Sequence, residues 1–140
     1  MWIDAKGSTV LPRPECERLL AVKAKEGGVG RLGLSTDQAP VVVPVNFTMH
    51  DGEVIVRVGP GFVARTAAER LVAFEIDHIE TERGSAWSVL LRGLATLIEH
   101  PSAAEFERAP LPLVHEPGDM LLLIRPDILT GRRFTIDALP

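Results

Sequence analysis

The segment PVNFTMHDGEVIVRV, from Pro44 to Val58, restricts the fold of this chain more than any other. Val41, Val43, Val45, Phe47 and Met49 fall on one side of an extended chain, the period of two that a half-buried strand requires. His50-Asp51-Gly52 predicts a tight turn, because Asp and Gly tolerate positive φ, and Val54, Val56 and Val58 give the return strand its apolar face. Pro44 has no backbone N–H, which puts its strand at an edge or at a local bend. Asn46 and Arg57 are polar side chains set in this apolar frame, suited to contact a polar ligand.

The remaining pattern extends the same architecture. Arg13 to Lys25 reads as a helix, with Cys16, Leu19 and Leu20 on one face, Pro14 in the first turn and Gly27-Gly28 as the stop. Further strands are predicted at Val29 to Ser35, Leu71 to Asp77, Ala86 to Ile98 (bent at Gly93), Met120 to Arg125 and Arg132 to Ile136. Short helices are predicted at Phe62 to Glu69 and Pro101 to Ala109, a polar loop at His78 to Ser85, and a constrained loop around Pro110, Pro112 and Pro117. Residues 1–12 read as an extended arm, followed by one domain over residues 13–140. Strands joined by hairpin-length turns, without alternating helical crossovers, predict an antiparallel barrel, mainly β with short helices.

Composition removes several function classes. A net charge of -4 and no basic-aromatic interleaving argue against a nucleic-acid partner. The longest apolar run, Met120 to Ile124, is too short to span a bilayer, and the N-terminus lacks a signal-type apolar stretch, so a cytoplasmic protein without a membrane partner is expected. The single cysteine excludes an internal disulfide, and its place on the apolar helix face makes it a buried structural thiol. With no Tyr, tyrosine acid or radical chemistry is excluded. GGVGRLG lacks a Walker lysine and follows a helix, the four histidines are scattered, and no nucleophile elbow is present; no metal site is expected, and no catalytic side chain is assigned.

Three segments can form a site. They are Pro44 to Phe47, Arg57 with the turn from Gly59 to Arg65, and Ala86 to Gly93. On the last, Ser88 and Arg92 share a strand face with Leu90 and Leu94, whereas Trp87 and Val89 face the other way. A polar pair on such a face needs a partner if buried: a ligand, or a salt bridge from Arg92 to Glu75 on the preceding strand. Apolar residues on both faces of Ala86 to Ile98 call for cover from a helix or a second subunit, which predicts a homodimer.

The ordered segments VGRLGLSTDQAPVVVPVNFTMHDGEVIVRV, VAFEID, GSAWSVLLRGLATLIE and IRPDILTGRR, after a helix that begins with Glu15-Cys16, resemble the pyridoxamine 5'-phosphate oxidase-like FMN-binding split-barrel family, in its small actinobacterial-type branch. The resemblance spans roughly residues 10–134. It implies a split β-barrel, a homodimer with flavin at the subunit interface, and FMN as the usual cofactor, with deazaflavin or haem in some relatives. Pro44, Val45, Asn46 and Phe47 match the family segment beside the isoalloxazine ring, Arg57 the arginine of its F-R-T strand end, and Trp87, Ser88 and Val89 its W-S-V segment. The family's F-R-T-x-x-G-T-K phosphate pattern is altered here. Val58 replaces the threonine, and Phe62-Val63 replaces Thr-Lys, which leaves Arg57 and Arg65 as the cations for a phosphate. The implied function is a flavin-dependent oxidoreductase acting on a small-molecule substrate. The alternatives are a non-catalytic flavin, deazaflavin or haem binding protein of the same fold, and a barrel without a small ligand.

Overall fold

Alternating burial along the long strands curls this chain into a closed sheet. The computed structural model describes residues 8–113 and 118–136. The strands are β1 (Ser8–Leu11), β2 (Val29–Leu34), β3 (Val41–Asn46), β4 (Thr48–His50), β5 (Glu53–Val58), β6 (Arg70–Glu80), β7 (Ser85–Ile98), β8 (Met120–Ile124) and β9 (Ile128–Thr135). The helices are α1 (Arg13–Lys25), α2 (Phe62–Ala67) and α3 (Ala103–Glu107). No helix among the described residues is long and apolar enough to cross a membrane.

The strand pairs are antiparallel, in the order β3-β2-β6-β7-β8-β5-β4, with β9 also on β7 and β1 on β9. The two ends of that order, β3 and β4, are separated by Phe47 alone, so one bent strand closes the sheet. β7 makes the split: its residues 85–92 pair with β9 and residues 95–98 with β8, while β6 runs along its other side. This is the expected antiparallel split barrel.

The barrel is filled by the inward residues of alternating pairs. Leu32, Val54, Val56, Phe74, Ile76, Val89, Leu91, Leu122 and Ile124 are buried, each of this size contributing about 1.5–3 kcal/mol by removal from water. Phe47 meets Phe74 edge to face, with ring centroids 4.9 Å apart. α1 lays Cys16, Leu19 and Leu20 against β4, β7 and β9. Burial pushes the Cys16 thiol up, in keeping with a structural role.

The structure corrects several expected boundaries. Val41 to Met49 is two strands: Val41–Asn46 pairs with β2, and only Thr48–His50 pairs with β5. Closing a barrel requires a strand to leave one neighbour for another, and burial of Phe47 at the bend fixes where this happens. Half of the predicted loop from His78 to Ser85 is strand. β6 reaches Glu80, a 3₁₀ turn covers Thr81–Arg83, and Gly84 at φ 61° starts the return. Main-chain pairing with β7 carries this hairpin, so its polar side chains gave no hydrophobic signal. β9 begins at Ile128, earlier than expected, because it pairs with β7 on one side and β1 on the other. Within the described part of the predicted arm, residues 8–12, Ser8–Leu11 is the extended strand on β9. α2 stops at Ala67, and α3 is held to Ala103–Glu107 by a capping box between Ser102 and Glu105. Pro117 and His115 lie outside the described residues.

Candidate functional site

Side chains that alternate with the core point to the outside of the barrel, and the outside has two halves. Over β4, β5 and β8 the chain covers itself with α3 and the segment that follows. Ile55 and Leu121 alternate with core residues yet are buried, at 3% and 1% exposure. Three side chains fasten this cover through its carbonyls. Asn46 Nδ2 donates to Leu111 O at 2.7 Å, Thr48 Oγ1 donates to Arg108 O, and Arg57 donates from Nε and Nη2 to Gly118 O at 3.2 and 3.0 Å. The Arg57 guanidinium also stands 4.4 Å from the centre of the Phe106 ring.

Over β2, β3, β6 and β7 the sheet is bare. Val42, Leu71 and Ile79 are 65%, 71% and 64% exposed, and Leu90 and Ile128 lie on the same surface. A groove of about 430 Å³ runs across it. Gly33 and Ala73, cross-strand partners, are its low floor, Val42, Leu71 and Ile128 its apolar walls, and Arg92 its cation. Arg92 has no hydrogen bond or ion pair among the described residues. Of the two alternatives for Arg92, the bridge to Glu75 does not form: Arg92 stands opposite Ala73, Glu75 opposite Leu90, and Glu75 is engaged from β2 by Arg31 at 3.4 Å. Arg31 also reaches Asp77 at 3.1 Å. Burial first, then the neighbouring Asp77 carboxyl, pushes Glu75 up to about 7.

The ten residues singled out from the sequence separate into distinct settings. Phe47, Val58, Trp87 and Val89 are buried in the core, and Val45 is partly buried against it. Pro44 and Ser88 lie on the bare outer face, with the groove. Asn46 and Arg57 hold the cover. Arg65 is exposed in the last turn of α2. Within one chain these residues do not converge on one cavity. The groove itself was missed, and its signals were in view. Arg92 is a charge on an otherwise apolar strand face, and Gly33 inside a strand marks a place where something approaches the backbone. No group of three or more metal-ligating side chains gathers among the described residues.

The family model for pyridoxamine 5'-phosphate oxidase matches residues 12–133. This chain belongs to that family. It is 33% identical over 142 residues to an uncharacterized protein of Mycobacterium tuberculosis, covering 96% of this chain and 91% of that one. It is 32% identical to an FAD binding protein from Mycobacterium smegmatis, with a TM-score of 0.72, covering 90% of this chain and 99% of that one. An FAD-binding protein from Mesorhizobium loti shares the fold at 21% identity, with a TM-score of 0.73 and coverage of 90% and 96%.

Proposed function

We propose that this protein is a flavin-dependent oxidoreductase that holds its flavin nucleotide in the groove of the bare sheet face, with a second copy of the chain covering it. The observation that carries this reading is the groove itself: a shallow apolar slot, floored by Gly33 and Ala73, with one cation, Arg92, that no described side chain engages. A planar ring needs a floor without bulk and walls that exclude water, and a phosphate needs a charge-assisted donor. The groove offers both. Likeness to the FAD binding protein of Mycobacterium smegmatis supports a flavin as the ligand. A bound flavin supplies hydride transfer, so no side-chain acid or base is required of the protein. Its residues act by position: Arg92 holds the phosphate, and the apolar walls Val42, Leu71 and Ile128 keep water from the ring. FMN is the form expected from sequence, whereas the similar Mycobacterium smegmatis protein is an FAD binding protein, so both nucleotides are candidates for the groove. The groove lining contains no His, Cys or Met to ligate a haem iron, which favours flavin over haem there.

The homodimer belongs to the same reading. Exposed Val42, Leu71, Ile79, Leu90 and Ile128 on one sheet face make a surface that a second copy would cover. The visible spectrum of the purified protein, titrated in turn with FMN, FAD, riboflavin and haem, tests the proposal. Flavin absorbance retained through gel filtration supports it, as does tighter binding of FMN than of riboflavin. Arg92→Ala and Arg65→Ala then assign the phosphate; loss of the FMN preference in Arg92→Ala alone is expected. A colourless protein that takes up none of the flavins overturns it.

A further inference from the structure

The bare face carries a charge arrangement that a merely apolar contact surface would not have. Glu75 and Asp77 stand two residues apart on β6, the central strand between β2 and β7, and point the same way. One guanidinium, Arg31, serves both carboxylates. Large apolar side chains, Leu71 and Ile79, stand at the two ends of the same strand face, so any chain that covers them also covers the carboxylates. The interface of a symmetric dimer is the same patch twice. Each copy would therefore bring both carboxylates out of water with the one guanidinium they share, Arg31, while Arg92 and Arg132 stand on the neighbouring strands of the same face. An uncompensated charge in such a place costs far more than a neutral hydrogen-bonded pair. One proton shared between Glu75 and Asp77 leaves a single carboxylate for the Arg31 guanidinium that both otherwise share.

We propose that self-association through this face is proton-linked: the Glu75–Asp77 pair takes up a proton when the second copy covers it, so the dimer is tighter in mildly acidic than in mildly alkaline solution. This rests on the dimer reading above. The isolated chain is already poised for it, because burial and Asp77 raise Glu75 into the neutral range. The other groups facing the pair are the guanidinium of Arg31 from β2, Ser88 and Arg92 from β7, and Thr130 and Arg132 from β9. Lys23 of α1 meets the Asp77 carbonyl and not its carboxylate. His78 alternates to the opposite face, beside Trp87, and His50 lies on β4.

Sedimentation equilibrium of the full chain between about pH 6.5 and 8.5 tests this. One proton per copy gives a limiting slope of about tenfold in the dimer constant per pH unit per proton, so a loss of about tenfold or more over this range is expected. Glu75→Gln should dimerise as tightly at pH 8.5 as at 6.5, while Glu53→Gln, on the far β4–β5 turn, should keep the wild-type slope. A wild-type dimer constant that does not change with pH overturns the proton linkage and leaves the dimer standing. A slope that survives in Glu75→Gln also overturns it, by placing the proton elsewhere. A chain that stays monomeric at every pH, in wild type and Glu75→Gln alike, overturns the dimer reading and the linkage with it.

Discussion

The two halves of the barrel's outer surface start from the same strand alternation and end differently. On β5 and β8 the outward residues Ile55 and Leu121 are as buried as the core, because α3 and the segment after it lie over them. On β2, β3 and β6 the outward residues Val42 and Leu71 are mostly exposed. The covered half is fastened by Asn46, Thr48 and Arg57 to main-chain carbonyls, so its polar side chains are already engaged. The bare half has Arg92 without a described partner. Where the chain covers its own sheet, outward residues stabilise the fold. Where it does not, they are left for something else to meet.

A matched pair of substitutions gives the largest effect that separates the halves. Leu121→Ala should cost about 2–5 kcal/mol of folding stability, the range for a buried leucine that leaves a cavity. Leu71→Ala should change the stability of the monomer by no more than about 0.5 kcal/mol. Urea unfolding at low protein concentration measures both, and equal losses would erase the distinction. Next in size, Arg92→Ala should weaken FMN by about 1.5–3 kcal/mol, or roughly one to two decades, with riboflavin affinity and unfolding midpoint little changed. Fluorescence titration reads it; an unchanged FMN affinity would remove Arg92 from the site. On the covered half, Asn46→Ala loses a hydrogen bond to Leu111 worth about 0.5–1.5 kcal/mol, and limited proteolysis should then cut near Leu111 faster. Resistance equal to wild type would mean that Thr48 and Arg57 hold the cover unaided.

A further test is the pH dependence of monomer stability. Glu75 has a higher carboxyl pKa folded than unfolded, so the folded state binds more protons between about 4.5 and 7. Its contribution is full below about 4.5 and is lost as pH rises through 7. Thermal melts of dilute protein should show stability falling across that window, and Glu75→Gln should flatten the curve. A Glu75→Gln curve that falls as steeply as wild type would assign the effect to another group.

Much of this barrel was legible because strands announce themselves by alternation. Leu32, Val54, Val56, Phe74, Ile76, Val89 and Leu91 fall on the inward faces that the pattern assigns. The break at Phe47 was not legible, since Val45, Phe47 and Met49 keep the same alternation across it and only the closed sheet makes β3 and β4 change neighbours. The β6–β7 turn was hidden by polar residues that pair through their backbone. The cover over β5 and β8 was illegible for a different reason: Pro110, Leu111, Pro112 and Leu113 follow no period, and their place is set by side chains some sixty residues earlier, as in the Asn46–Leu111 bond at a separation of 65. At the site, Arg57 and Asn46 were recognisable as polar interruptions, but nothing local could say that they serve the chain's own carbonyls. Arg92 was recognisable as a charge awaiting a partner. That the partner was not Glu75 follows from strand register, which places Leu90 opposite Glu75.

The pairing of β1 with β9 has a kinetic consequence. Ser8 is zipped to Phe134 and Thr9 to Arg133, so one of the last ladders in the sheet joins opposite ends of the chain, whereas β6 and β7 meet across a turn of a few residues. Contacts between distant residues require the largest loop to close before they give anything back, and they slow folding. Pulse-labelled hydrogen exchange should therefore protect amides of β6 and β7 early and those of β1 late. Early protection at Val10 would place the joining of the two ends ahead of the barrel rather than after it.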